Sequence, residues 1–371
     1  MVISARCVGA QAVRGRIVVA DSAAVPGAIV TLLDSTGVPL ARSLADEQGR
    51  FAMRLPSPGR YQFQVLRLGY RPTLDAPFLV AQGQLLDRVI RLTGRAVALR
   101  SMDVTAESPC VGTDSSAAAF AVWEETRKAL LASALTRATR AYTMDYELFS
   151  NRQSSDARQR PTLRRDAQRS AGLRPFSTLP PDQLVFDGYV ERSTSGDTYF
   201  APDEEVLLSE SFAATHCLRL LADSAASPVV RLGFAPVPAR RLPDIRGVIT
   251  LDRATAELRA LEFQYVNLRA GEQAGSPGGE LAFRRLPEGS WIIEYWAIGI
   301  PFLEQRVNRD EIRPVPGRGG LAQPAPRPPT VVTANGRVTT GGAVTRVLFG
   351  DTVVWAATEV VMPRMRMPLP P

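Results

Sequence analysis

Between residues 13 and 92 the chain is punctuated by turn residues about every 8–12 positions, and the stretches between them alternate polar and apolar side chains. No other feature restricts the fold as much. Arg50-Phe51-Ala52-Met53-Arg54-Leu55 and Arg60-Tyr61-Gln62-Phe63-Gln64-Val65 both repeat with a period of two, which buries one face of each strand and wets the other. Pro26-Gly27, Ser35-Thr36-Gly37, Asp46-Glu47-Gln48-Gly49 and Pro58-Gly59 supply the turns. The runs 15–19, 28–33, 39–44 and 86–92 complete a strand set that predicts an antiparallel β-sandwich.

The order Gly15, Pro26-Gly27-Ala28-x-Val30, Gly37, Asp46-x-x-Gly49-x-Phe51, Pro58-Gly59-x-Tyr61, Gly69-Tyr70 resembles the carboxypeptidase regulatory-like domain, a transthyretin-like (prealbumin-like) sandwich. The resemblance covers residues 13–106 and implies a fold with no catalytic machinery of its own. Phe51 and Tyr61 are expected to fill its core. Residues 97–106 resemble the strand that follows such domains in TonB-receptor-like proteins. The remaining chain lacks the many amphipathic strands of an outer-membrane barrel.

Beyond the sandwich, a helix is expected over 116–140. Its N-caps come from Asp114, Ser115 and Ser116, and Phe120, Trp123, Leu130, Leu131 and Leu135 fall largely on one face. Residues 151–182 are rich in Arg, Ser and Pro and read as a long disordered loop. Strands return between 184 and 312, including 184–192, 206–208, 217–221, 229–234, 247–252, 258–267, 279–286 and 290–298. The organisation is therefore a tail at 1–12, the sandwich at 13–106 and a β-rich second domain at 107–312. A Pro-rich spacer at 313–330, a closing hairpin at 331–362 and a tail at 363–371 follow. The fold class is mainly β: a sandwich plus a larger β-rich α+β domain with one packed helix.

Tyr199-Phe200-Ala201-Pro202-Asp203, His216-Cys217, Leu261-Glu262-Phe263-x-Tyr265 and Gly278-Gly279-Glu280 resemble a group of bacterial envelope proteins that carry the same N-terminal sandwich. The string Gly247-x-x-x-Leu251-Asp252-x-x-Thr255-x-Glu257-Leu258 also looks like the strand–turn–strand repeats of lipoprotein-carrier-like half-barrels.

Chemistry is sparse. The chain has one histidine, His216, so the His-x-x-Glu plus distant His of a zinc carboxypeptidase cannot be built. His216 lies beside Cys217 at the start of an apolar run, the setting of a packed structural histidine. Neither a Gly-x-Ser-x-Gly elbow nor a phosphate-binding Gly-x-x-x-x-Gly-Lys-Ser/Thr loop occurs. Asp203-Glu204-Glu205 is the tightest acidic cluster, by default solvated turn charge. With Trp296 it forms a candidate ligand surface, although Trp291 to Trp296 is apolar on both faces, as in a central buried strand. No catalytic, metal or cofactor site is expected.

The net charge of +7 rests almost wholly on arginine, scattered along the sequence rather than striped, and nucleic-acid binding is not expected. No apolar run is long enough for a spanning helix. Ala10-Gln11-Ala12 has the form of a signal-peptidase site, so residues 1–12 read as the remnant of a secretory signal. Setting Cys7 aside leaves Cys110 and Cys217, a candidate disulfide in an oxidising compartment. These features suit a non-enzymatic binding or assembly protein of the periplasm, outer-membrane surface or exterior, with an envelope protein, glycan or lipid as partner. The alternative is a periplasmic carrier of lipid or another apolar ligand, with the second domain a half-barrel closed by helix 116–140. A carboxylate-dependent hydrolase is third. A filled core favours the first reading, and a deep apolar concavity favours the carrier.

Overall fold

The computed structural model describes residues 11–92, 114–307 and 330–358, apart from 20–21, 69, 140–141, 157, 172–175, 194–196, 222–225, 270–271 and 274–275. Most of the N-terminal tail, the strand expected at 97–106, Cys7, Cys110, nearly all of the Pro-rich spacer and the C-terminal tail lie outside the described residues.

The first module is the expected sandwich. Its strands are β1 (Ala12–Val18), β2 (Ile29–Leu33), β3 (Pro39–Leu44), β4 (Arg50–Arg54), β5 (Gly59–Leu66), β6 (Thr73–Leu74), β7 (Phe78–Val80) and β8 (Leu85–Arg91). One sheet runs β4-β1-β8; the other runs β3-β2-β5-β6, with β7 also on β5. The pairing is antiparallel except between β1 and β8, which run parallel. Phe63, wholly buried, sits between Phe51 at 5.2 Å, edge-on, and Phe78 at 4.9 Å. Tyr61 is buried too, and its hydroxyl donates to the Ser57 carbonyl at 2.6 Å.

The second module is one large antiparallel sheet with a long helix against it. The helix α1 (Asp114–Thr139) leads into β9 (Tyr142–Ser154) and β10 (Thr162–Ser170). Then come α2 (Pro181–Asp187), β11 (Val190–Glu191), β12 (Thr198–Tyr199), α3 (Glu204–Leu208) and α4 (Glu210–Thr215). A meander follows: β13 (His216–Leu220), β14 (Val229–Pro236), β15 (Asp244–Asp252), β16 (Leu258–Val266), β17 (Gly278–Arg285) and β18 (Trp291–Val307). The last strands are β19 (Thr330–Phe349) and β20 (Thr352–Ala356). The sheet order is β10-β9-β19-β18-β17-β16-β15-β14-β13, with β20 on β19.

Three expectations are corrected. Residues 151–182 are not a disordered loop: they hold the end of β9, all of β10 and the first two residues of α2. Strand β10 is an edge strand exposed on both faces, so it lacks apolar alternation. Cross-strand ion pairs, Arg165–Glu147 at 3.1 Å and Arg169–Asp145 at 2.5 Å, tie it to β9. The 331–362 segment is more than a closing hairpin, because β19 lies between β18 and β9 and completes the sheet. The runs at 184–187 and 206–208 belong to short helices rather than strands, so α1 is not the only helix packed on the sheet.

The two modules meet through a shared apolar core. Strand β2 is buried along its whole length. Val30 and Leu32 face the sandwich interior, whereas Ile29, with Leu68, joins the core built around α1 and the large sheet. Gly27 (φ +66°) and Gly289 (φ +99°) stand backbone to backbone across the junction; a Cβ on Gly27 would lie 2.3 Å from the Gly289 carbonyl oxygen. Lys128, the only lysine of the chain, is buried there. Its ammonium pairs with buried Glu125 at 2.5 Å and donates to the Tyr70 carbonyl of the sandwich at 3.0 Å.

Candidate functional site

The groups with the most chemical potential collect where the last turns of α1 face α3. Asp203 caps α3, its carboxylate accepting from the Val206 backbone N–H at 3.0 Å. This capping turn places Glu204 on the inner side of α3. Ser133 of α1 donates to one Glu204 oxygen at 2.8 Å, and Arg137, one turn on, approaches the other at 3.0 Å and Asp203 at 3.9 Å. Thr136 accepts from the Trp291 backbone N–H at 3.2 Å and so joins the same helix face to β18.

Glu204 is 2 % exposed, and burial pushes its carboxyl above the usual carboxylate range against the pull of Arg137. It borders a cavity of about 50 Å³ whose other walls include Arg137, Tyr142, Tyr146, Trp291 and Trp296. That volume suits one or two waters bridging polar groups, not an acyl chain or a sugar. Burial also raises the Tyr142 and Tyr146 hydroxyls to about 12, so both stay protonated donors near neutrality.

The raised Glu204 carboxyl has a pH consequence. Its folded-state pKa lies above the unfolded value, so the native state binds the extra proton and stability falls as pH rises from about 4 through the raised pKa. Glu204→Gln keeps one acceptor oxygen, enough for Ser133 or Arg137 but not both, and, having no carboxyl to titrate, is expected to remove that decline. Thermal unfolding of the two proteins across acid to neutral pH measures it; parallel curves would show that Glu204 titrates normally.

The proposed ligand surface is corrected. Asp203 and Glu204 are buried, Glu205 is exposed on α3, and Trp296 is 3 % exposed in edge-to-face contact with Tyr146 at 5.9 Å. The acidic run is a helix start instead of a solvated turn, so one carboxylate is committed to capping and the next to an ion pair. Glu204 and Trp296 both line the small cavity beside α1. A glycosidase needs two carboxyl groups flanking a bond in an open cleft; the pair here adjoins a space too small for one.

His216 is a packed histidine. Its ring stacks on Phe212 at 4.1 Å, and Nε2 lies 3.0 Å from the Asp244 carboxylate. Asp244, wholly buried, also accepts from its neighbour's N–H at Ile245 and from Arg240. Arg240 in turn donates to the carbonyls of Leu184 and Val185 at 2.7 and 2.8 Å. The network thus binds the end of α2 to β13 and β15. Thr215 reaches His216 Nδ1 at 3.1 Å, giving a hydroxyl–imidazole–carboxylate series, but its hydroxyl donates to the Ser211 carbonyl at 2.7 Å and closes α4. Arg240 and Asp244 escaped the sequence reading because neither lies in a motif and the geometry appears only when β13 and β15 enter one sheet. Among the described residues, no group of His, Cys, Asp and Glu suits a metal ion. Cys217 is half-buried on β13; its proposed partner lies outside the described residues.

Residues 12–93 match the carboxypeptidase regulatory-like domain family, and the N-terminal sandwich is such a domain. No curated protein matches the chain. Among solved structures, the Bacillus anthracis TIE protein is 19 % identical over 22 % of this chain and 16 % of that chain, with a TM-score of 0.21. Catechol 1,2-dioxygenase from Pseudomonas arvilla is 15 % identical over 25 % of this chain and 55 % of that chain, with a TM-score of 0.19. BcpA, the major pilin subunit of Bacillus cereus, is 11 % identical over 94 % of this chain and 93 % of that chain, with a TM-score of 0.20. The chain spans less than two-thirds of the length of the first two. At these scores the likenesses carry no argument about activity.

Proposed function

We propose that this protein is a non-enzymatic binding or assembly component of the bacterial cell envelope, a two-module scaffold whose regulatory-like sandwich is docked onto a larger sheet. The observation that carries the reading is the filled interior of the large sheet. Trp123 and Leu130 of α1, Leu207 of α3 and Phe212 of α4 share one core with Leu232, Phe234 and Ile249 of the sheet. A carrier of lipid needs an apolar cavity of several hundred Å³ for its ligand; the cavity beside Glu204 and Trp296 holds about 50 Å³, and a hollow of about 550 Å³ on the β9, β10 and β19 face is open and lined by charged residues such as Asp145, Glu147, Arg165 and Arg169. The junction built from Gly27, Gly289 and Lys128 supports a fixed arrangement of the modules, as a spacer or docking unit requires.

Native mass spectrometry of the protein purified from its own organism, after cell fractionation, tests this reading. The expected result is a pool outside the cytoplasm at the bare polypeptide mass. A stoichiometric co-purified lipid would restore the carrier alternative, and a wholly cytoplasmic pool would reject the envelope assignment.

A further inference from the structure

The arginines that look scattered in the sequence converge when β4, β1 and β8 come into register. On the outer face of this sheet Arg54, Ala12 and Leu85 form one row. Ala52, Arg14 and Asp87 form the next, and Arg50, Arg16 and Val89 the third. Arg91 follows beside Val18. Arg14, Arg16, Arg50, Arg54 and Arg91 are all exposed, against one carboxylate, Asp87, on the face itself. Asp87 is taken by Arg14 at 2.5 Å, and Asp46 in the adjoining turn is taken by Arg50 at 2.9 Å. Arg16 donates to the Gln48 carbonyl, which leaves its charge uncompensated. Arg16 and Arg50 are direct cross-strand partners, a like-charge pairing that costs stability and that folding alone does not ask for.

Two aliphatic side chains stand among these arginines: Leu85, 54 % exposed, and Val89, 58 % exposed. Rows are about 7 Å apart along the strands and about 4.8 Å across them, so the guanidinium groups are spread over a patch of roughly 10 by 20 Å. A broad, gently twisted face that mixes arginine with exposed aliphatic residues complements a plane of anionic headgroups with hydrocarbon just beneath it. We propose that the outer face of the β4-β1-β8 sheet docks on an anionic lipid bilayer, with Arg16, Arg54 and Arg91 supplying the free charge and Leu85 and Val89 entering the headgroup layer. This goes beyond the scaffold reading and does not rest on it: failure here leaves that reading standing.

The test is co-sedimentation of the full chain with phosphatidylcholine vesicles carrying about one-third phosphatidylglycerol, compared with phosphatidylcholine alone. Binding is expected to the acidic vesicles only, and to fall steeply as salt is raised from about 0.1 to 1 M. Each arginine near such a surface is worth about fivefold in partition, so the combined Arg16→Gln, Arg54→Gln, Arg91→Gln variant is expected to lose about a hundredfold. A control set of equal charge on exposed arginines elsewhere in the sandwich, Arg42→Gln, Arg60→Gln, Arg71→Gln, removes the same net charge and is expected to lose far less. Equal losses in the two variants, equal binding to neutral vesicles, or no binding by the parent chain would each overturn the proposal. So would binding to duplex DNA in place of vesicles.

Discussion

Asp244→Ala is expected to destabilise the second module by about 3–5 kcal/mol, the cost of removing one partner from a buried ionic network. The carboxylate is wholly buried and serves three donors: His216, Arg240 and the Ile245 N–H. Without it Arg240 keeps its carbonyl partners at Leu184 and Val185 but loses its counter-charge in a site that is largely closed to solvent. Asp244→Asn retains an acceptor and should fall between parent and Ala. Urea denaturation at neutral pH measures both, and a thermal scan should show a drop of roughly 10 °C for Ala. A loss below about 1 kcal/mol would mean that water reaches the network and takes over from the carboxylate.

The second large effect is proposed for Cys110 and Cys217. A bond between them would close a loop of about 100 residues, which on a chain-entropy account contributes about 4–5 kcal/mol, less any strain. Cys217 is the second residue of β13, the strand at one end of the large sheet, and Cys110 precedes α1 in sequence, so the bond would tether the approach to the helix to the far edge of the sheet. The measurement is the mass of the alkylated protein with and without prior reduction, paired with melting under both conditions. Oxidised protein is expected to lack two reactive thiols and to lose most of that stability on reduction. Two free thiols in protein recovered from an oxidising compartment would end the idea.

What could be read from the sequence follows from where water sits. In the sandwich most strands have one wet face, so period and turn residues were visible, and Phe51 and Tyr61 were legible as core. The convincing helix was α1, legible from its length and its Asp-Ser-Ser start rather than from one apolar face, since Glu125, Thr126, Lys128 and Ser133 are buried along with its apolar residues. Helices α2 and α3 have seven and five residues, α3 held by its Asp203 cap and both by tertiary contact, so their apolar runs looked like strands. Strand β10 is wet on both faces and carried no pattern at all. Several polar constellations that matter join distant positions: Arg137 with Glu204, His216 with Asp244, and Arg16 with Arg50. Their charges looked solvated or scattered because only the fold brings them together.

The buried lysine at the junction has a chemical consequence. Apart from its terminal amine, the chain offers acylating reagents a single amino group, and that nitrogen is held between Glu125 and the Tyr70 carbonyl. It becomes nucleophilic toward solvent only when α1 and the sandwich part. The rate at which Lys128 is acylated is therefore expected to report separation of the two modules, written into the covalent mass of the chain.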